Sequence, residues 1–444
     1  MGSVFFKRIF LSAIIIFSLI SSAAAKEIKV PQIVAPYKIS YDGKPFEKEE
    51  LWGDEILLLA TLFEDEDLSN EEYEIIQDCY DDLFEKVRME RTQDELENAE
   101  IIMKVMYDNV LSYYSKNQTK LSVMFRTGKY NCVSSSLLFL ALAKDCGLDA
   151  RMQETPVHAF VTVYTKDGRQ FDVETTNPAG VNPGVKKMVS QNSTGSKKYT
   201  VVPKTYYSNR KEISDRKAVT LTAKNICAEL SDRNDFEKGI PLAATVYEFV
   251  TKEKAAVRKD FEAMCVNFAA YANQNRQYEA ALDLLKTVMD EYGKSDFLVR
   301  NYNDIVFNAA AESCNGNDFD KARQVLITYS GYLTEKTVQE INDMIFETEN
   351  LEEIQNLMQQ QKFLEAAKLA DSALNRQPQN QQFKKAKNNS LYNHGVLVHN
   401  QAVPLMNDGK YSEALKILEA GLKDNPANQL IKSDVEKVKK QIGK

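Results

Sequence analysis

The sequence predicts an α+β domain followed by an all-α solenoid of helical repeats. Residues 128–176 have the pattern of a capped apolar helix and then two strands joined by a short turn. From about Ser214 a phrase of one aromatic, one small and one apolar residue recurs five times, which is typical of stacked helical hairpins. Helical periodicity between about Phe46 and Ser115 predicts further helices that cover the first domain.

Composition places the chain among globular proteins of two or three domains. It has 444 residues, of which 43% are hydrophobic and 27% charged. The net charge is −8 and no basic stripe is evident along the sequence. We therefore expect no nucleic-acid partner, because phosphate recognition needs clustered lysine and arginine.

Residues 1–25 have the three parts of a secretory signal peptide. Two basic residues precede an apolar run over 9–20, and three alanines at 23–25 form a cleavage site. The apolar run is short for a membrane span, so we expect cleavage before Lys26 rather than an uncleaved anchor. The mature protein is then expected to be periplasmic or secreted, in a bacterium, with no membrane span.

The remaining chain is divided into three parts. Residues 26–46 contain three prolines and are predicted to be an extended lead-in. The α+β domain is placed at residues 47–212 and the repeats at residues 213–444. Since the first domain is expected to own a complete core, a fragment ending near Glu212 should fold by itself.

The central helix is predicted from its own start and stop signals. Asn131 is a favoured N-cap, residues 133–146 are strongly apolar, and Gly147 suits the left-handed position after a helix. So apolar a helix is expected to be enclosed by other elements. Cys132 lies in its first turn, where the free N–H groups and the helix dipole favour thiolate over thiol.

Two strands are predicted after this helix, over residues 159–164 and 170–176, with a turn around Gly168. The length of the turn decides which acid His158 can meet. A two-residue loop would put His158 and Glu174 on opposite faces. A three-residue loop with Gly168 at positive φ would pair Thr165 with Arg169 and make Glu174 a diagonal neighbour of His158.

The acid of the site is therefore predicted to be Glu174, with Asp172 as the alternative. In the three-residue register Asp172 would lie roughly 13 Å from the position opposite His158, at the rise of a strand. A cysteine at a helix start, a histidine on the next strand and an acid on the strand after it form a thiol acyl-transfer triad. His158 is the only histidine before His394, so it is the sole candidate base.

These motifs resemble the bacterial transglutaminase-like core. The resemblance rests on Gly128-x-x-x-Cys132, an Ala/Leu helix that closes on Cys146-Gly147, His158-Ala-Phe, and Phe171-x-Val-Glu174-x-Thr176. It implies a papain-like, cysteine-protease-like fold with a Cys-His-acid catalytic triad. Phe160 stands where the family usually has Trp, and Glu174 where it usually has Asp. The family includes peptidases, amidases, cross-linking enzymes and members without known activity.

The six cysteines are dispersed and do not form a disulfide framework. Cys132 and Cys146 are about 21 Å apart on one helix by helical rise and cannot pair. We expect most of the thiols to be buried, with Cys132 as the exception. No Cys/His grouping has metal-ligand spacing, so neither a metal nor another cofactor is predicted.

The repeats resemble tetratricopeptide (TPR) repeats with lengthened helices. The small residue lets two helices approach, and the aromatic residue fills the gap beside it. Such repeats usually bind a protein or peptide on their concave face. The five phrases are Phe236…Gly239…Ala243, Tyr278…Ala281…Leu285, Phe319…Ala322…Leu326, Phe363…Ala366…Ala370 and Tyr411…Ala414…Leu418.

Two functional hypotheses follow from the sequence. In the first, the protein is an exported cysteine acyl-transfer enzyme, of peptidase, amidase or transglutaminase type, whose repeats recruit a protein or peptide substrate. In the second, the core is catalytically idle and the protein is a periplasmic scaffold or binding protein. We favour the enzyme, because Cys132, His158 and an acid all occur at workable spacing.

Overall fold

The computed structural model describes residues 31, 39–41, 44–64, 69–183 and 197–443. The described residues are mostly helical (69%) with a small sheet region. The predicted signal peptide lies outside the described residues, as does much of the predicted lead-in. None of the helices in the described ranges combines the length and the apolar character that a membrane crossing needs.

The first part of the chain combines helices with one four-stranded sheet. The sheet is antiparallel with strand order β7-β6-β5-β8, and β1-β2 and β3-β4 form two further pairs. A 3-10 helix, Lys204–Tyr207, precedes the last strand. The elements are β1 (Ser40–Tyr41), β2 (Lys44–Pro45), α1 (Gly53–Leu62), α2 (Asn70–Glu90), α3 (Glu95–Asn109), β3 (Tyr113–Tyr114), α4 (Leu121–Thr127), β4 (Lys129–Tyr130), α5 (Cys132–Asp145), β5 (Asp149–Glu154), β6 (Ala159–Tyr164), β7 (Gln170–Val173) and β8 (Lys211–Glu212).

Helix α5 is the centre of this part, as its sequence predicts. Asn131 is the N-cap, and Gly147 follows the helix with φ of 76°. Every side chain from Val133 to Ala143 is buried. The helix packs against α1, α3, β5 and β6, so its apolar surface is covered on several sides.

The predicted hairpin register is confirmed. Tyr164 lies opposite Gln170, and the N–H of Thr165 donates to the carbonyl of Arg169 at 2.9 Å. Gly168 has φ of 86°. The second strand is shorter than predicted and ends at Val173.

The chain leaves the sheet after Val173 in a tight turn. The N–H of Glu174 donates to the carbonyl of Gly180 at 2.9 Å instead of continuing the ladder. A Cβ at Gly180 would lie 1.9 Å from the carbonyl oxygen of Glu174, so only glycine fits there. This turn holds Glu174 at the end of β7.

The second part of the chain consists of helices joined by short turns. It also contains a 3-10 helix, Ser330–Tyr332. The helices are α6 (Asp215–Val219), α7 (Leu221–Asp232), α8 (Phe236–Phe249), α9 (Lys254–Gln274), α10 (Tyr278–Tyr292), α11 (Asp296–Asn315), α12 (Phe319–Thr328), α13 (Glu335–Gln359), α14 (Phe363–Arg376), α15 (Gln381–Asn407), α16 (Tyr411–Asp424) and α17 (Gln429–Ile442).

The repeated phrase marks the same structural position five times. Each aromatic residue is the first residue of a helix, namely α8, α10, α12, α14 and α16. The small residue of each phrase is buried. Two residues before each aromatic the backbone is left-handed, which ends the preceding helix and reverses the chain. These left-handed residues are Asn234, Arg276, Asn317, Gln361 and Gly409.

The apolar core of the first part continues into the first repeat helices. Val219, Leu242, Phe249 and Val257 belong to the same buried cluster as the side chains of α5. The domain boundary at residue 212 stays a prediction. The structure nevertheless argues against a complete core within residues 47–212, because part of that core is supplied from beyond the boundary.

Arg216 fixes this junction. Its side chain is 6% exposed, and its guanidinium donates to the carbonyls of Phe249, Phe46 and Lys48. The guanidinium also lies 4.2 Å from the centre of the Phe249 ring. One side chain therefore joins the lead-in to the first repeat.

We predict that a fragment ending at Glu212 is recovered as aggregate. It would expose the apolar side chains that α6–α9 cover in the full chain. A fragment ending at Gly293 keeps every member of this cluster and should be soluble with a cooperative unfolding transition. Size-exclusion chromatography and urea unfolding of the two fragments test this. A soluble, cooperatively folding fragment ending at Glu212 would show that the shared core is dispensable.

Candidate active site

Three elements bring the predicted site residues together. Cys132 is the first residue of α5, His158 directly precedes β6, and Glu174 directly follows β7. Because α5 packs on β6 and β6 pairs with β7, the three side chains lie at one end of this layer. The order cysteine, histidine, acid matches the triad predicted from the sequence.

Cys132 is partly exposed and lies at the start of a helix. Its neighbours Asn131 and Val133 are buried. The carbonyl oxygen of the Asn131 side chain accepts from the N–H groups of Val133 at 2.9 Å and Ser134 at 3.1 Å. The N-cap therefore fixes the first turn of α5 and the position of Cys132.

His158 connects the thiol to the acid. Its Nε2 lies 2.7 Å from Oε2 of Glu174, and the neighbouring Cys132 helps to raise the pKa of its imidazole. Since Nε2 is used by Glu174, Nδ1 is the nitrogen left for the thiol. The carbonyl of His158 accepts from the N–H of Thr155 at 2.8 Å, which holds the backbone in place.

Glu174 is fully buried and accepts four hydrogen bonds. Oε1 accepts from the N–H of Thr176 at 3.1 Å and from its hydroxyl at 2.6 Å. Oε2 accepts from His158 at 2.7 Å and from the hydroxyl of Tyr207 at 2.5 Å. A buried carboxylate needs such compensation, and four donors match its acceptor capacity.

The pKa values of this pair move in opposite directions. Burial opposes the charged form of His158, but the interactions with Cys132 and Glu174 outweigh it and raise its pKa to about 10. Burial likewise opposes ionisation of Glu174, but the bonds from His158, Thr176 and Tyr207 lower its pKa below the usual 4.5. The site therefore favours imidazolium next to carboxylate.

Asp172, the alternative acid, does not contact His158. Its carboxylate accepts from the guanidinium of Arg210 at 2.7 and 2.8 Å and from the hydroxyl of Thr162 at 2.8 Å. This placement follows from the register, because Thr162 lies opposite Asp172 on β6. Glu174 is thus the acid that the structure brings to the histidine.

Tyr207 is the site residue that sequence reasoning missed. It lies on the 3-10 helix Lys204–Tyr207, and its ring packs edge-on against those of His158 and Phe160 at 5.8 and 5.1 Å. Burial and the neighbouring Glu174 raise the pKa of Tyr207, so it remains a donor. Tyr207 is 33 residues from Glu174, so no local pattern in the sequence links the two.

A layer of buried hydroxyls lies between α5 and the turn after β7. The hydroxyl of Thr175 is 2.8 Å from that of Ser135 and 2.9 Å from that of Ser136. Tyr107 donates to the carbonyl of Thr175 at 2.9 Å. These contacts tie the residue after Glu174 to the helix that carries Cys132, so the distance between acid and nucleophile is fixed.

The other thiols and histidines lie outside this arrangement. All six cysteines are free; Cys146, Cys265 and Cys314 are buried, and the other three are partly exposed. Two histidines, His394 and His399, lie on α15. Within the described ranges, no three His, Cys, Asp or Glu side chains are grouped as metal ligands would be.

Comparison of the chain with protein-family models, with curated proteins and with solved structures gives no match.

We predict that Glu174→Gln lowers the pKa of His158 from about 10 toward 6.5, because the neutral amide cannot stabilise imidazolium. The variant should also be less stable by about 3 kcal/mol at pH 5–6, the cost typical of breaking a buried pair. Histidine-selective NMR can follow the titration, since the chain has three histidines. Asp172→Asn is the matched control and should leave the titration of His158 unchanged.

The difference in the free energy of unfolding between the wild-type protein and Glu174→Gln should depend on pH. The lowered pKa of Glu174 stabilises the folded state above the unfolded value of 4.5, and this stabilisation is lost as pH falls through the folded pKa. The raised pKa of His158 stabilises the folded state fully below pH 6.5, and this stabilisation is lost as pH rises through about 10. The effect of Glu174→Gln should thus be largest between pH 4.5 and 6.5. A pH-independent difference would contradict an ion pair.

We further predict that Tyr207→Phe lowers the free energy of unfolding by about 1 kcal/mol, because Glu174 loses one of its four donors. The same change should raise the pKa of Glu174, since the carboxylate loses a donor that favours its charged form. Tyr206→Phe is the control: its ring lies 6.4 Å from that of His158. Equal effects of the two variants in urea unfolding would mean that the hydroxyl of Tyr207 is unimportant.

Proposed function

We propose that this protein is a thiol-dependent acyl-transfer enzyme of the transglutaminase-like type. The observation that carries the proposal is that His158 bonds to the buried Glu174 at 2.7 Å and lies close enough to Cys132 for the thiol to affect its pKa. A partly exposed thiol beside an imidazole whose pKa is raised to about 10 has the protonated partner that a cysteine nucleophile needs.

In the first step the thiolate of Cys132 attacks the carbonyl carbon of an amide. The backbone N–H of Cys132, at the first helical position, has no acceptor within the helix and is available for the oxyanion. Collapse of the tetrahedral intermediate breaks the C–N bond, and the imidazolium Nδ1–H of His158 gives its proton to the leaving amine. The product is a thioester on Cys132 and neutral imidazole.

In the second step an acceptor releases the acyl group. Water gives a proton to His158 while its oxygen attacks the thioester, the C–S bond breaks, and the thiolate–imidazolium pair is restored. An amine acceptor would give acyl transfer by the same route. Hydrolysis is favoured because water is abundant. Glu174 keeps its charge throughout and stabilises the imidazolium.

We also propose the fold family of the core, the role of the repeats and the location of the protein. The core is assigned a transglutaminase-like, papain-like fold, and the helical hairpins are assigned as TPR-like repeats that recruit a protein or peptide substrate. The protein is assigned to the periplasm or the extracellular space, through cleavage of residues 1–25. Support for these assignments comes from the sequence motifs and from the placement of α5, β6 and β7.

A catalytically idle scaffold is the second candidate function. It is favoured by an open cavity of about 1170 Å³ among the repeats, lined in part by Tyr278, Asp283, Glu312 and Tyr329. The cavity lies on helices α10–α12, apart from the residues of the thiol site. A binding role for the repeats is compatible with either function.

Alkylation by iodoacetamide distinguishes the two functions without knowledge of the substrate. We predict that Cys132 reacts readily at about pH 6, where an ordinary thiol with a pKa of about 8.5 is almost fully protonated. Quantitative mass spectrometry of the modified peptides gives the rate for each cysteine. The buried thiols serve as internal references, since burial raises the pKa of Cys146 to about 11.

His158→Ala removes the imidazolium and should slow the alkylation of Cys132 at about pH 6 by roughly tenfold or more. Cys79, which is also partly exposed, should react at an unchanged rate in this variant. If Cys132 in the wild-type protein reacts no faster than Cys79 at this pH, the thiol is not activated and the scaffold function is the better description.

A further inference from the structure

We infer that the surface beside Cys132 binds an acidic polypeptide segment. This inference rests on the proposed function, which makes the segment the substrate and favours a polypeptide over a nucleic acid. The surface is defined by four lysines, Lys116, Lys129, Lys198 and Lys204, and is called the basic rim.

Two of these lysines are joined to Cys132 through the strand pair β3-β4. Lys129 lies three residues before Cys132 and pairs in parallel register with Tyr113. The carbonyl of Lys116 accepts from the side-chain amide of Asn131, the N-cap of α5, at 3.2 Å. Both lysine side chains are exposed. They therefore flank the start of the helix that carries the thiol.

Lys198 lies on a third segment beside the same strands. Its backbone bridges Tyr113, and its carbonyl accepts from the N–H of Tyr114 at 2.8 Å. Its ammonium group lies 5.0 Å from the centre of the Tyr113 ring, which is itself exposed. A cation and an aromatic ring thus occupy one face next to β4.

Lys204 lies near His158, on the 3-10 helix that follows in the chain. It is exposed and is the first residue of the 3-10 helix that carries Tyr206 and Tyr207. The ring of Tyr206 is 40% exposed and lies 6.4 Å from that of His158. The rim therefore includes cations beside the nucleophile and beside the base.

The charges of the rim are not neutralised by the described acidic side chains, none of which forms an ion pair with the four lysines. The acids of the neighbouring sheet already have partners: Glu174 pairs with His158, Asp172 with Arg210, and Glu212 with Arg151. Glu154 likewise pairs with Lys217 and Lys224. The positive charge of the rim is thus available to a ligand.

The fold creates this concentration of charge from two separate segments. Between Asp108 and Cys132 every charged residue is lysine or arginine, and the same holds between Glu174 and Glu212. No basic stripe is evident along the sequence as a whole, and the chain carries a net charge of −8. The pairing of β3 with β4 and with Lys198 brings the two segments together at the thiol.

A polypeptide fits this surface better than a nucleic acid. The bond that a Cys-His-Glu site attacks is an acyl bond, and proteins supply such bonds whereas nucleic acids do not. Glutamate or aspartate beside the scissile bond would meet the lysines, and an aromatic or aliphatic side chain would meet Tyr113 and Tyr206. The rim would then orient the substrate and raise its rate of association.

Binding can be measured without catalysis in the Cys132→Ala variant of the full chain. Fluorescence anisotropy is recorded with a short labelled peptide rich in glutamate, with matched peptides that have glutamine or lysine at the same positions, and with a single-stranded oligonucleotide. We expect the glutamate peptide to bind most tightly, and we expect its affinity to fall as ionic strength rises.

Charge reversal locates the binding surface. Lys129→Glu combined with Lys204→Glu should weaken binding of the glutamate peptide by about tenfold or more. The matched control is Lys104→Glu with Lys166→Glu, which changes the net charge equally at exposed positions on α3 and on the turn between β6 and β7. The control should bind as the parent does.

Three results would overturn the inference: equal binding of the glutamate and lysine peptides, equal effects of the rim and control reversals, or tighter binding of the oligonucleotide than of the peptide. An inert Cys132 in the alkylation experiment, together with rim-dependent peptide binding, would reject the proposed reaction and keep the docking surface. A reactive Cys132 without rim-dependent peptide binding would keep the proposed reaction and reject the docking surface.

Small reagents give an independent measure of the local charge. Iodoacetate is negatively charged and iodoacetamide is neutral, so the ratio of their rates with Cys132 reports the potential at the thiol and cancels the thiolate fraction. We expect Lys129→Glu with Lys204→Glu to lower this ratio several-fold, and the control pair to leave it unchanged. An unchanged ratio in the rim variant would place the lysines too far from the thiol to steer a substrate.

Discussion

The contact between His158 and the buried carboxylate of Glu174 is the constraint on which the site depends. A buried charge is strongly unfavourable unless its hydrogen bonds are complete, so the surrounding elements must deliver every donor to the right place. The hairpin register supplies His158, the turn closed by Gly180 supplies Thr176, and the 3-10 helix supplies Tyr207. A shift of any one element would leave an acceptor unpaired.

Helix α5 and the core around it join the site to the rest of the chain. Helix α5 carries the thiol at one end and packs with its whole length inside the core. That core extends into the first repeat helices, where the buried guanidinium of Arg216 closes the junction. This attachment fixes the position of the first repeat helices relative to α5.

Much of the fold and of the site could be predicted because their signals are local. Asn131 and Gly147 mark the ends of α5, and Gly168 marks a turn whose length sets the strand register. Register in turn places Glu174, and not Asp172, next to His158. The repeat phrases are equally local, because each aromatic residue starts a helix directly after a left-handed turn.

The sequence by itself thus determined the helix caps, the hairpin and the order of the triad, since each depends on residues a few positions apart. Only the tertiary structure decided that Tyr207 donates to Glu174, 33 residues away, and that Arg210 donates to the carboxylate of Asp172. It also decided that the core crosses residue 212 and that Lys129 and Lys198, from two separate segments, both lie beside Tyr113. Such contacts follow from the path of the folded chain, which no local pattern encodes.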